Sequence, residues 1–344
     1  MSLLWIDGFE GYGTTIDSAP APSGVMGRRY PLINSESNFR IRPGRIDGKS
    51  IAFSASGTYF QTSDINTDST LIIGVAFKFG EFQNNNAFIV MYDGATAGIG
   101  IRVTTDGELE VRRGSTLLDT TSDLNLALDT WYWLELKVVV DDTVGSYDLR
   151  IGEQNVLSAS GIDTKAGSNN YYDSIRFSIP FTGASDLHFD DLYICNGLGA
   201  INNNFLGNVK VVAVFPDGAG NSSDFIPSSG ANFTCVQEEE VDDDTSYVES
   251  SISSHKDTYA YEELYNYSRI KGIQINTDCR ETDASSYNII TVIRSGSTDY
   301  DDSGQAINTT NYITKSIISE LNPSTSSEWL YTDINSSEFG IKVG

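Results

Sequence analysis

The sequence predicts an all-β protein, and three observations predict it. Apolar and polar residues alternate with a period of two along Trp131-Tyr-Trp-Leu-Glu-Leu-Lys-Val-Val, where Leu134, Leu136, Val138 and Val140 share one side and Trp133, Glu135 and Lys137 the other. Gly, Ser, Thr, Asn and Asp clusters separate such runs, as Asp141 to Gly145 does before Tyr147-Asp-Leu-Arg-Ile. Sustained helical periodicity is missing; Tyr261-Glu-Glu-Leu-Tyr amounts to a turn or two.

The 344 residues suit two domains at the usual length of ~150 residues each. Leu3-Leu-Trp-Ile opens as a strand that Asp7-Gly8 stops. Residues 13 to 50 are rich in loop residues and carry a basic cluster, Arg28, Arg29, Arg40, Arg42 and Arg45. Such a cluster either pairs with acidic neighbours or docks on an acidic surface of another copy or a partner. Regular strands follow at 51–53, 71–79, 87–92, 99–104, 109–112, 131–140, 147–151, 175–179 and 187–194. Each has one apolar face, so two sheets packed face to face are expected, and the strand number favours a jelly-roll sandwich over residues 1–203. Asn196 to Asn204 reads as a Gly/Asn-rich joint. A second, smaller β-sandwich is expected over 204–344. Its strands are read at 209–215, near Tyr247, and at 270–277, 289–293, 312–318 and 339–343, with loops at 216–232 and 238–244.

The formal net charge is −25, with 14 basic against 25 acidic residues up to position 203 and 8 against 22 beyond it. Both halves repel phosphate backbones, which excludes nucleic acid as a partner. Cys195, Cys235 and Cys279 are too few for a disulfide scaffold and too scattered for a zinc site. No run approaches the ~20 apolar residues a membrane-spanning helix needs, so membrane insertion is not expected. The opening Met-Ser-Leu-Leu-Trp-Ile-Asp-Gly-Phe does not have the form of a signal peptide.

Catalytic motifs are sparse. His188 and His255 stand alone, without a nucleophile elbow, a zinc-binding His-Glu-x-x-His or a phosphate-cradling loop. A sandwich glycosidase would carry Glu-x-Asp-x-x-Glu on one strand, whereas Glu108-Leu-Glu-Val has two carboxylates and Arg112 beside them. That strand reads as a solvated edge, and the chain is expected not to be an enzyme.

Two binding sites remain as candidates. Asp190 and Asp191 end a late strand, and their oxygens suit calcium, although strict alternation would point them to opposite faces. No other cofactor is expected. Trp131, Trp133, Tyr171 and Tyr172 could stack on sugar rings, with burial against a loop as the commoner fate of such aromatics. The run Glu238-Glu-Glu-Val-Asp-Asp-Asp lacks calcium-loop spacing and reads as a solvated acidic loop.

Two stretches resemble known families. Trp5-Ile-Asp-Gly-Phe-Glu, Trp131-Tyr-Trp-Leu-Glu-Leu, Gly161-Ile-Asp-Thr and Phe189-Asp-Asp-Leu-Tyr-Ile look like a concanavalin A-like (laminin G-like) jelly roll of tailed-bacteriophage virion proteins. Phe205-Leu-Gly-Asn-Val-Lys-Val, Pro216-Asp-Gly-Ala-Gly-Asn, Asp243-Asp-Thr-Ser-Tyr-Val and Lys256-Asp-Thr-Tyr are similar to the module that follows it there. The resemblance implies a structural virion component on the outside of the particle, as a tail or baseplate appendage or a head decoration. It would be made in the host cytoplasm, released by lysis, and partnered by other virion proteins and by copies of itself. The alternative is a carbohydrate-binding adhesin that recognises a host surface glycan, and a weaker one is a glycan hydrolase.

Overall fold

The computed structural model describes residues 1–344 apart from 22, 23, 63, 84, 85, 181–185, 266, 284 and 285. Strands hold 46% of the chain and helix 6%, so the all-β expectation stands. The chain forms two compact units, Met1–Val212 and Ala213–Gly344. No helix among the described residues is long and apolar enough to cross a membrane.

Unit 1 contains β1 (Leu3–Asp7), β2 (Leu32–Asn34), β3 (Phe39–Pro43), β4 (Lys49–Phe53), β5 (Tyr59–Gln61), β6 (Thr70–Phe79), β7 (Ala87–Asp93) and β8 (Thr96–Val103). It continues with β9 (Leu109–Arg113), β10 (Thr116–Thr120), β11 (Tyr132–Val139), β12 (Gly145–Ile151), β13 (Gln154–Ile162), β14 (Ser174–Ser178) and β15 (Leu187–Asn196). One sheet has eight strands in the order β13-β12-β11-β6-β15-β4-β3, with β1 paired to β15; the other has seven in the order β10-β9-β8-β7-β14-β5-β2. These are the two layers of a jelly-roll sandwich.

Alternation decides what fills the space between the layers. Leu71, Ile73, Val75, Phe77 and Phe79 of β6 point inward opposite Leu134, Leu136 and Val138 of β11, and all are fully buried. Phe60 stacks on Phe53 and Phe177, with centroids 5.6 and 4.9 Å apart, and Phe189 meets Phe177 edge-on at 5.1 Å. This aromatic seam lies along the middle of the core. Its rings each remove a large apolar area from water, worth ~1.5–3 kcal/mol per side chain.

Unit 2 holds a six-stranded antiparallel sheet and three two-stranded ones. Ile293, Trp329, Ile334 and Phe339 form a buried cluster, flanked by Tyr261, Ile273, Ile275 and Ile317. The strands at Ile273–Cys279, Tyr287–Ser295, Ile313–Ser319 and Glu338–Val343 lie close to those expected.

Two expectations for this half fail. Residues 209–215 make no strand, and Pro216–Ser223, expected as a loop, is a strand paired with Lys256–Tyr261. The Gly, Asn and Ser content of Pro216–Ser223 is turn-like, yet close backbone approach is what it serves: a Cβ on Gly220 would collide with Thr258. Cys195, Cys235 and Cys279 are all free thiols.

Candidate functional site

The outward face of the eight-stranded sheet gathers several of the sequence-predicted residues, but in a closed arrangement. Trp133 and Glu135 of β11 and Tyr193 of β15 point outward, and all three are buried. Gly74, between them on β6, leaves room for the Tyr193 ring, which a Cβ there would overlap. The residues after β15 run back across this face as a strap. Leu206 N–H donates to Tyr193 Oη (3.1 Å), Gly207 N–H to Glu135 Oε1 (2.9 Å), Asn208 N–H to Glu153 Oε1 (2.8 Å) and Val211 N–H to Asp191 Oδ1 (2.7 Å). Arg150 covers the Phe205 ring at 4.0 Å. Unit 1 therefore extends to Val212, past the boundary expected at residue 203, because side chains of the sheet satisfy the strap's backbone donors.

This strap corrects the sugar-stacking expectation for Trp133, which is 3% exposed with the Arg45 guanidinium 5.1 Å from its ring. Tyr172 is corrected likewise. It is fully buried over Gly98, and its hydroxyl donates to the Thr164 carbonyl. Trp131 and Tyr171 remain partly exposed. Trp131 has Lys78 Nζ 5.2 Å from its ring and His188 edge-on at 5.9 Å. Burial, with the cations Lys78 and Arg42 nearby, holds His188 down at about 4.

The arginine cluster is not a free docking patch. Arg29 pairs with Asp7 at 3.2 Å, Arg42 with Asp186 at 2.6 Å and with Asp17, and Arg45 with Asp191 at 2.8 Å. Arg40 bonds the carbonyls of Ser37 and Phe39, and Arg28 is partly exposed. Among the described residues, the chain's own carboxylates take up at least three of the five charges.

A bulge in β15 overturns the alternation argument for Asp190 and Asp191. Asp191 has a left-handed backbone (φ 54°), and the register with β6 shifts between Asp190 and Tyr193. Both carboxylates thereby meet Arg45. Asp190 Oδ2 accepts from the Arg45 backbone N–H (2.7 Å), and Asp191 Oδ2 accepts from Arg45 Nε (2.8 Å). Both acids are shifted upward, first by burial. Glu10 nearby is pushed up to about 9 by burial and by the charge of Asp190. Among the described residues, no group of three or more His, Cys, Asp or Glu is arranged to hold a metal ion.

The outward face of the seven-stranded sheet is different in kind. Register aligns one row across all seven strands: Leu32, Gln61, Arg176, Val90, Gly100, Arg112 and Leu117. Arg176 lies 4.2 Å from the Tyr59 ring and 4.6 Å from the Tyr92 ring, while its Nε donates to Gln61 Oε1 (2.8 Å). Gln61 in turn donates to Ser174 Oγ (3.0 Å), which fixes its amide. Glu110 accepts on one oxygen from both Arg102 Nε (2.7 Å) and Arg112 Nη1 (2.9 Å). Between these two groups lie Val90 and Gly100, a low floor without a large side chain. Tyr59, Tyr92, Arg102, Arg112 and Arg176 are all partly exposed.

Glu110 is therefore no solvated edge: it is 7% exposed and clasped by two arginines. Sequence reasoning passed over Tyr59, Tyr92 and Arg176 because each is a single polar or aromatic residue in a short strand. Alternation marks them as outward, but only the strand order puts β5, β14 and β7 side by side.

Neither the protein-family models nor the curated proteins contain a match to this chain. Among solved structures, the chain is similar to an endo-β-1,4-glucuronan lyase from Trichoderma reesei at 12% identity, TM-score 0.37, over 53% of this chain and 94% of that one. Alginate lyase Aly36B gives 12% identity and TM-score 0.40 over 56% and 95%. Domain 4 of AbnA, a GH43 extracellular arabinanase from Geobacillus stearothermophilus, in complex with arabinotriose, gives 15% and 0.40 over 56% and 91%. At these identities the likeness is one of fold, an all-β sandwich. The expectation that the chain is not an enzyme is nevertheless corrected by these matches. Their names include two lyases and a domain of an arabinanase.

Proposed function

We propose that unit 1 binds carbohydrate on the outward face of its seven-stranded sheet. One observation carries the reading: the Arg176 guanidinium lies against both the Tyr59 and Tyr92 rings, next to Gln61 and beside the Val90–Gly100 floor. Sugars present apolar C–H faces and a rim of hydroxyls. A site for them needs flat rings with fixed donors and acceptors alongside. This face supplies both, on strands of a packed sheet that hold their geometry before any ligand arrives. A glycan array with the intact protein and its Arg176→Ala and Tyr92→Ala variants tests it. Retention of glycans that both variants lose is expected; silence of the intact protein across the array overturns the reading.

The second reading places the protein on a phage particle, where sugar binding would serve host recognition. It rests on the sequence resemblance alone, several of whose motif residues lie together in unit 1. Asp7 pairs with Leu192 beside Asp190-Asp191, and Leu206-Gly207 bonds Tyr193 and Glu135. Antibody-gold labelling of particles in the electron microscope tests it, and unlabelled particles beside a labelled control protein would overturn it.

A further inference from the structure

The charge on this face points to a particular class of sugar. The chain carries a net charge of −25, yet on this face three guanidiniums, Arg102, Arg112 and Arg176, outnumber the carboxylates of Glu108 and Glu110. Arg176 on β14 and Arg112 on β9 are three strand steps apart, ~14 Å at the usual strand spacing. Among the described residues the hydrogen bond of Arg176 goes to Gln61 through Nε, so its two Nη nitrogens have donors to offer. Arg102 and Arg112 share one Glu110 oxygen, and Arg112 Nη2 also donates to the neutral Ser115 carbonyl, so two guanidiniums are matched by one carboxylate in this pairing.

We infer that the face binds polysaccharides whose sugars carry carboxylates, with one uronate on Arg176 and another on the Arg102–Arg112 pair; this rests on the carbohydrate-binding reading above. A guanidinium meets a carboxylate through two parallel N–H···O bonds, a fit that neutral hydroxyls cannot return. A neutral chain laid over the face would desolvate the surplus charge without compensating it. The acidic remainder of the protein does not cancel the attraction. At about 0.15 M salt the screening length is ~8 Å, so distant carboxylates are hidden from the face while contacts persist. Contact with Tyr59 and Tyr92 holds the Arg176 guanidinium in place, so less freedom is lost when the ligand binds.

The test uses the full-length protein and immobilised polygalacturonate, alginate, glucuronan and hyaluronan, each beside its carboxyl-reduced counterpart of matched length. We expect at least one acidic polymer to be retained, and carboxyl reduction to weaken its binding about tenfold or more. Arg176→Gln and Arg112→Gln should each weaken it by a similar factor, with thermal melts confirming that the variants fold. Two variants are used so that a folding defect in one leaves the other to decide. Equal binding of the reduced polymers would overturn the carboxylate assignment and leave sugar binding standing. Preference for dextran sulfate, immobilised alongside, would overturn it too. Binding to none of these polymers, nor to any neutral glycan, would overturn both readings. Unchanged binding by both variants would remove the site from this face.

Discussion

The Arg176 guanidinium sits 4.2 Å from the Tyr59 ring and 4.6 Å from that of Tyr92, and so joins strands β5, β14 and β7 on the outward face of one sheet. An arginine in that setting is positioned before any ligand binds. Replacing it separates its two roles. Arg176→Lys keeps the charge but loses the guanidinium against the two rings, and Arg176→Ala loses both. Each cation–π contact contributes ~0.5–1 kcal/mol and the hydrogen bond to Gln61 ~0.5–1.5 kcal/mol, so unfolding in urea should show Arg176→Ala destabilised by about 1.5–3.5 kcal/mol. Glycan binding should fall with the fold retained, and Arg176→Lys should lie between wild type and Arg176→Ala.

Trp131 and Trp133 lie two residues apart but should respond very differently to substitution. Trp133 is buried under the strap with Arg45 over its ring, and Trp133→Ala should cost ~3–5 kcal/mol. Trp131 is partly exposed, and its removal should cost well under half of that. Denaturant unfolding of the two variants checks this. Equal losses would mean that the strap does not seal Trp133.

The strap also predicts where unit 1 can be cut. A fragment of residues 1–212 keeps the Gly207 and Val211 donors on Glu135 and Asp191, whereas one of residues 1–203 uncovers Trp133, Tyr193 and Glu135. The longer fragment should unfold cooperatively, and the shorter should melt several degrees lower or aggregate. Scanning calorimetry of both fragments decides it.

Glu10 makes unit 1 sensitive to pH. Its folded value of about 9 lies above its ordinary value of 4.5, so the folded state holds a proton that the unfolded chain releases. The group costs nothing below pH 4.5, and stability then falls as pH rises toward 9, by up to ~1.4 kcal/mol per pH unit. Urea unfolding between pH 5 and about 9 with chelator present should show that slope. Glu10→Gln, which cannot ionise, should reduce it, with Asp190 and Asp191 supplying what remains, and be the more stable variant at the alkaline end.

Period-two alternation was enough to read the inward face of nearly every long strand. Leu134, Leu136 and Val138 point into the core as their spacing requires, and Trp133 points outward as expected. Alternation fails where the chain departs from the regular pleat. The bulge at Asp191 turns two neighbouring carboxylates toward the same arginine, and nothing in Phe189-Asp-Asp-Leu marks an extra residue in the ladder. Pro216–Ser223 escaped notice for a related reason, since small residues that look like a turn can also let two backbones come close.

What the sequence by itself determined is the all-β class, the jelly-roll layering and the side of each strand that is buried. These follow from local periodicity and the hydrophobic effect, which act on neighbours in the chain. Which outward residues stay open was decided only by the tertiary structure. Gly207 closes over Glu135 from 72 positions away, and Arg176 meets Gln61 from 115 positions away. Such pairings depend on strand order and on where a loop returns, and those are set by how the whole chain packs rather than by any one segment.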